Sequence, residues 1–248
     1  MRRLFVLLLA LAAAVAFAAS CGTKPPPPPV AGKDAETLAP PDAGSTEPED
    51  AGEPLDAQDP GLTKKDASRP YPPGGGTDYN VGGVVENVVL NGFTKGIAAG
   101  SVYRPIELAE YYDPDGAKGY KVLFVNIGSR WCPYCKLEAS GDNSVDPPVP
   151  SLNEICKARA AKGLVCYTAI LEDEAYNRVE KPDITWWANE FSTEYTLVMD
   201  PNFRWTNYGE ASAVPHNLFI DTATMKLLAI CHGADTACID SNMDLYTQ

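Results

Sequence analysis

Two cysteines two residues apart, Cys132 and Cys135, are the residues of this chain whose type and spacing point most directly to chemistry. They follow an apolar, β-branched run, Val122 to Ile127, that Gly128 and Ser129 bring to an end, and a helix is expected to open at the pair. A thiol at a helix N-terminus is stabilised as thiolate by the macrodipole and the free N–H groups, and a second thiol one turn on can close a disulfide with it. Cys132 would then be the attacking sulfur and Cys135 the resolving one. The same spacing also serves as half of a zinc site, so the pair alone leaves redox and metal chemistry open.

The other residues with chemical potential are scattered. Ala213-Val214-Pro215-His216-Asn217 sets a proline just before an expected strand, a natural place for a cis peptide bond. Glu138 lies one turn after Cys135, and reads either as an acid beside the thiols or as a solvated helix residue. Cys156 and Cys166 are ten apart, Cys231 and Cys238 seven apart. Four cysteines allow three pairings; the local bridges Cys156–Cys166 and Cys231–Cys238 are the simplest, with free buried thiols or a second redox relay as alternatives. None of these spacings matches a zinc ribbon, and no metal site is expected.

The elements that must position these residues can be read in order. Val84 to Leu90 is expected to be a strand, with Asn91-Gly92 as the tight turn of an N-terminal hairpin. Pro105 to Tyr112 is expected to be a short helix that Asp113-Pro114 stops. After the cysteine helix, 139–150 is rich in Gly, Asp and Pro and reads as a loop near the site. Ser151 and Glu154 spell a capping box and Gly163 a helix stop. Leu164 to Leu171 reads as a second buried strand, and Asp183 as the cap of a helix whose Ile184, Trp187, Ala188 and Phe191 share a face. Leu218 to Asp221 and Lys226 to Cys231 form a closing hairpin. Strand, helix, strand, helix, hairpin predicts an α/β domain with a sheet covered on both faces.

The ends of the chain differ in kind. Arg2 and Arg3 precede an apolar run, Leu4 to Ala19, too short for an ordinary membrane span, so 1–20 reads as a secretory signal. It ends in Ala18-Ala19-Ser20-Cys21, which resembles the lipobox of bacterial lipoproteins except at Ala18, where Leu is usual; Cys21 would carry the lipid. Residues 21–77 are proline- and acid-rich with almost no large apolar side chains, and read as a disordered tether reaching about 40 Å on average. That leaves 78–248 as one domain. The formal net charge is -13 and no Lys/Arg cluster follows the signal, which argues against a nucleic-acid partner. An even number of cysteines besides Cys21 suits an oxidising compartment. The expected location is therefore the bacterial cell envelope, lipid-anchored on the periplasmic side, with Gly22 and no Asp after the cysteine favouring the outer membrane.

Three ordered segments resemble the thioredoxin superfamily, and within it the TlpA-like and ResA-like membrane-tethered thiol-disulfide oxidoreductases. They are V-N-I-G-S-R-W-C-P-Y-C-K-L-E, L-V-M-D-P-N-F-R-W-T-N-Y-G and A-V-P-H-N-L-F-I-D, within 84–233. The resemblance implies a thioredoxin-like fold: a central mixed sheet flanked by helices, here with an N-terminal hairpin extension. It implies thiol-disulfide exchange with protein partners, as a monomer and without a cofactor beyond the redox-active disulfide. Cys132 would be the nucleophile, Cys135 the resolving thiol, Pro215 the cis-proline facing them, and Val214 a backbone dock for an extended substrate. Glu138 matches the acid that ResA-like proteins keep beside the site, while Asn126 stands where thioredoxin has a buried acid. In such a sheet the strand of Cys166 and the last strand lie on opposite sides of the centre, which favours the local bridges. Trp131 would flank the site, and His216 would either contact a thiolate or substrate or stay a plain surface residue. Cys-Pro-Tyr-Cys is the glutaredoxin spelling, without that family's paired glycines. The absence of a long helical insertion between Leu171 and Asp183 favours a reductase. Two rivals remain: a Sco-like copper-binding protein, which uses Cys-x-x-x-Cys with a distal His, and a thiol peroxidase, whose Pro and Thr positions are Val125 and Ser129 here.

Overall fold

The computed structural model describes residues 71–145, 148–209 and 211–248. The expected signal 1–20, the lipid-bearing Cys21 and the tether as far as residue 70 lie outside the described residues. Residues 71–77, read as the end of the tether, belong with the domain: the Tyr71 hydroxyl donates to the Val85 carbonyl, and its ring packs against Tyr112.

Two apolar runs form the centre of the sheet. Val122–Gly128 (β3) is buried at every position and Leu164–Ile170 (β4) at all but one. Strands buried on both faces read as continuous hydrophobic stretches, and these two pair in parallel. With Val89–Phe93 (β1), Tyr103–Glu107 (β2), Thr196–Met199 (β5), His216–Asp221 (β6) and Leu227–His232 (β7), they make one sheet in the order β2-β1-β5-β4-β3-β6-β7. β3, β4 and β5 are parallel and the outer pairs antiparallel, so the sheet is mixed.

Side chains alternate across β3. Leu123, Val125 and Ile127 pack with Leu108, Trp205 and Tyr208, so that side is closed by the short 3-10 turns at Leu108–Tyr111 and Arg204–Asn207. Val122 and Phe124 pack with Leu152 of an α-helix at Leu152–Arg159 (α2) and with Ile239 and Met243 of another at Thr236–Tyr246 (α4). Further along the same side, Ile170 and Leu197 pack with Cys135 of Pro133–Ser140 (α1) and with Ile184 and Trp187 of Lys181–Glu190 (α3).

Helix α2 carries both arms of the Ser151/Glu154 capping box, and Gly163, at φ 92°, turns the chain into β4. The cap of α3 is Glu180, with Asp183 as the third-residue arm of its box rather than as the cap itself.

Three expectations at the N-terminal side are corrected. Asn91-Gly92 lies inside β1, not in a turn: Gly92 pairs with Arg104 and Val198 at once, and a Cβ there would collide with the Leu197 carbonyl oxygen and lie 2.6 Å from Val198 Cα. Close approach of β5, not turn geometry, requires this glycine. Val84 to Val88 is extended coil tied to the Met225 turn by the Val85 N–H. The segment expected as a helix over 105–112 begins as β2, whose edge position tolerates Pro105, and only then makes one 3-10 turn. At the C-terminal end, α4 was not anticipated. Of the 139–150 segment, Ala139 and Ser140 still belong to α1, where Ala139 packs with Cys132 and Cys135, and beyond it Asn143, Pro148 and Pro150 border Ile155 and Arg159 of α2.

Candidate functional site

The end of β3 and the start of α1 bring the cysteines to the carboxyl edge of the sheet. Cys132 is the N-cap of α1, with Pro133 at its first turn, and its Sγ accepts the Cys135 N–H at 3.1 Å. The two are joined in a disulfide, Cα–Cα 5.3 Å. Burial does not separate the two sulfurs, since Cys132 is 1% exposed and Cys135 0%. Position does: Cys132 sits at the positive end of the helix beside exposed Tyr134, whereas Cys135 lies behind it against Gly128, where even a Cβ would fall 3.4 Å from its Sγ.

The Val214–Pro215 bond is cis, and the Val214 carbonyl oxygen lies 3.5 Å from Cys132 Sγ. On the other flank the Trp131 indole N–H donates to Glu172 Oε2 at 2.8 Å, and its ring is stacked on Tyr176 at 4.9 Å. Tyr176 is 56% exposed and held at φ 64° by a turn in which Asp173 Oδ1 accepts the N–H groups of Ala175 and Asn177. Arg130 pairs with Asp183 at 2.6 Å and lies over Trp186. The disulfide is thus flanked by Trp131, Tyr134 and Val214, with Tyr176 stacked on Trp131.

Beneath it lies a buried polar row. β6, β3 and β4 set Asn217, Asn126 and Thr168 at directly paired positions, on the face that carries α1. Glu138, 6% exposed, closes the row from above: Asn126 Nδ2 donates to its Oε2 at 2.8 Å and Asn217 Nδ2 to its Oε1 at 3.1 Å. Asn126 Nδ2 also donates to Asn217 Oδ1 at 2.8 Å, and Thr168 Oγ1 donates to Asn126 Oδ1 at 3.4 Å. Burial pushes the Glu138 carboxyl up to about 7, against the opposing pull of the two amides. Glu138 is therefore no solvated helix residue. Asn217 and Thr168 escaped sequence reasoning; the signals were Asn217 beside His216 at the head of H-N-L-F-I and Thr168 inside the apolar run L-V-C-Y-T-A-I.

His216 is not the plain surface residue that was one of the expectations for it: it is fully buried. Nε2 donates to the Tyr208 carbonyl at 2.7 Å, Nδ1 has no hydrogen-bond partner among the described residues, and the ring lies 4.9 Å from that of His232. Burial holds its pKa below the usual histidine value. Asp200 is also fully buried and accepts the Trp205 N–H, fixing the 3-10 turn that follows the Asp200-Pro201 pair.

The other four described cysteines lie apart from the site. Cys156 joins Cys166 across the α2–β4 turn, Cα–Cα 6.0 Å, and Cys231 joins Cys238 across the β7–α4 turn, 5.8 Å. Among the described residues no helix is long and apolar enough to cross a membrane.

No family model matches this sequence, and no curated protein sequence is similar to it. Solved structures do match. A candidate thiol:disulfide interchange protein DsbE of Chlorobium tepidum superposes with a TM-score of 0.50 at 17% identity, over 69% of this chain and 100% of its own. An uncharacterised conserved protein of Geobacillus kaustophilus does so with a TM-score of 0.50 at 13% identity, over 68% of this chain and 83% of its own. With the mixed sheet order and the helix that opens at its carboxyl edge, these likenesses give the chain a thioredoxin-like fold.

Proposed function

We propose that this protein is a TlpA-like or ResA-like thiol-disulfide oxidoreductase that exchanges disulfides with protein partners through Cys132 and Cys135. The observation that carries the reading is the disulfide at the α1 N-cap beside a cis Val214–Pro215 bond, a sulfur pair held where a helix N-terminus favours the thiolate. The name of the Chlorobium tepidum structure agrees with it.

In the reducing direction, the Cys132 thiolate attacks a partner disulfide and one partner sulfur leaves as thiolate, taking a proton from water. Cys135 then gives its proton to a base, attacks Cys132 Sγ, and closes the intramolecular disulfide; the second partner sulfur leaves. Two electrons pass from the dithiol to the partner, and an external dithiol restores the reduced pair. Glu138 is the base within reach. Rise along α1 puts it about 4.5 Å beyond Cys135 on the same helix, and the register agrees: Cys135 sits over Gly128 while Glu138 sits over Asn126. A proton affinity near neutrality suits that work. No further cofactor is required, and the active form is a monomer.

The short connection between β4 and α3 supports reductase work over primary oxidation. The leader ending at Cys21 supports a lipid-anchored protein of the bacterial envelope, on the outer membrane and facing the periplasm, acting on protein thiols there.

The test is insulin reduction by the full-length chain with dithiothreitol as donor. Activity is expected in the wild type, loss in Cys132→Ser, and accumulation of mixed disulfides in Cys135→Ser. Undiminished activity in Cys132→Ser would overturn the assignment.

A further inference from the structure

We propose that Asn126 and Asn217 are positioning residues: a paired amide clamp that holds the Glu138 carboxylate beneath Cys135 and keeps it able to take up and release a proton during resolution of the mixed disulfide. The inference rests on the oxidoreductase reading above and assigns roles within it to two residues on separate strands.

The geometry is specific to a carboxylate. A carboxylate accepts at both oxygens, and each oxygen here receives one amide N–H from a different strand, Oε2 from Asn126 and Oε1 from Asn217. The remaining Asn126 proton goes to Asn217 Oδ1, which ties the two amides into one unit, and Thr168 fixes Asn126 from behind. All three strand residues are at most 1% exposed. Groups so placed cannot turn to water, so the carboxyl has a fixed direction as well as fixed donors.

The chemistry explains why amides occupy these positions. With apolar side chains at 126 and 217, a carboxyl this buried would keep its proton far above neutrality and could not accept one from Cys135. A second acid at 126 would compete for the same proton. Two neutral donors do neither: they lower the cost of the charged form while adding no charge of their own. No charged side chain is among the groups that set the Glu138 proton affinity, which are burial and these two amides. The ionisable groups facing it are Cys135, one turn back on α1, and Tyr195, from the segment before β5, whose own proton is retained chiefly through burial. In the resolving step the proton moves from Cys135 Sγ to a Glu138 oxygen, the Cys135–Cys132 bond forms, the bond from Cys132 to the partner sulfur breaks, and the partner leaves as thiolate.

The test uses the full-length chain with its glutamate carboxyl carbons labelled. The Glu138 titration is followed by NMR, the signal being identified by its absence in Glu138→Gln, beside the pH profile of insulin reduction. Asn217→Leu replaces the amide by an apolar side chain of similar size; Asn217→Ala is the second variant if that one does not fold. The expected result is a Glu138 midpoint raised by about one pH unit, tenfold in proton affinity, with the alkaline rise of activity displaced by the same amount and wild-type rates recovered at high pH. A folded variant whose midpoint and activity profile both coincide with the wild type would overturn the clamp. If the wild type reduces no insulin at any pH, the oxidoreductase reading fails, and the carboxyl titration still decides whether the amides control Glu138.

Discussion

Replacing Glu138 by Gln should change how the stability of the oxidised protein depends on pH, in a direction opposite to that of a salt-bridged acid. The Glu138 carboxyl has an ordinary value of 4.5 and is raised to about 7 by burial. Folding therefore binds a proton between those two values. Stability falls as pH rises through that window, because the unfolded chain ionises there and the folded one does not. From 4.5 to about 7, that displacement corresponds to about 3 kcal/mol at 1.36 kcal/mol per pH unit. Gln does not titrate, so it removes this slope. It also offsets the baseline, since its amide group would set an N–H against one of the two Asn donors unless that Asn flips, but the offset is the same at every pH. Urea unfolding of wild type and Glu138→Gln at intervals from pH 4 to 8, with all disulfides intact, measures the difference directly. The variant should gain about 3 kcal/mol on the wild type across that range, with most of the change between pH 5 and 7. Two curves that run parallel from pH 4 to 8 would refute the burial argument, and with it the case for Glu138 as a base poised near neutrality.

Two further outcomes test the frame that holds the site. Gly92→Ala should destabilise the fold by about 2 kcal/mol, as overpacking against backbone does, because its Cβ would meet Val198 Cα and the Leu197 carbonyl; thermal unfolding of the variant checks it, and an unchanged midpoint would show that β1 and β5 can separate freely. Removing the Cys156–Cys166 bridge by a double alanine replacement should cost about 2.5 kcal/mol by loop entropy while leaving insulin reduction intact, since the bridge lies across the α2–β4 turn and not at the Cys132 rim. Loss of activity without loss of stability would instead make it part of the redox path.

The centre of the fold was legible because its signals are local and agree with one another. β3 and β4 are buried on both faces, so they read as largely apolar runs, and the Ser151/Glu154 box and Gly163 mark the start of α2 and the turn into β4. The cysteine pair and the proline at 215 are also local. What failed was decided at a distance. Asn91-Gly92 has the propensity of a turn, yet the glycine serves the backbone of β5 more than a hundred residues on. Pro105 speaks for a helix start or a break until β2 is known to be an edge strand, where a missing N–H costs little. Helix α4 buries Ile239 and Met243 but exposes Leu245, too faint an apolar stripe to declare itself. Asn217 shows the same limit at the site itself. Within H-N-L-F-I it is one of two polar residues ahead of an apolar stretch, and only the β3–β6 register, which sets it opposite Asn126, turns it into half of a clamp on Glu138. The cysteine pair could be read from spacing because spacing is a property of one segment. The burial and hydrogen bonding of Glu138 could not, because they are set by three strands and a helix that meet only in the folded chain.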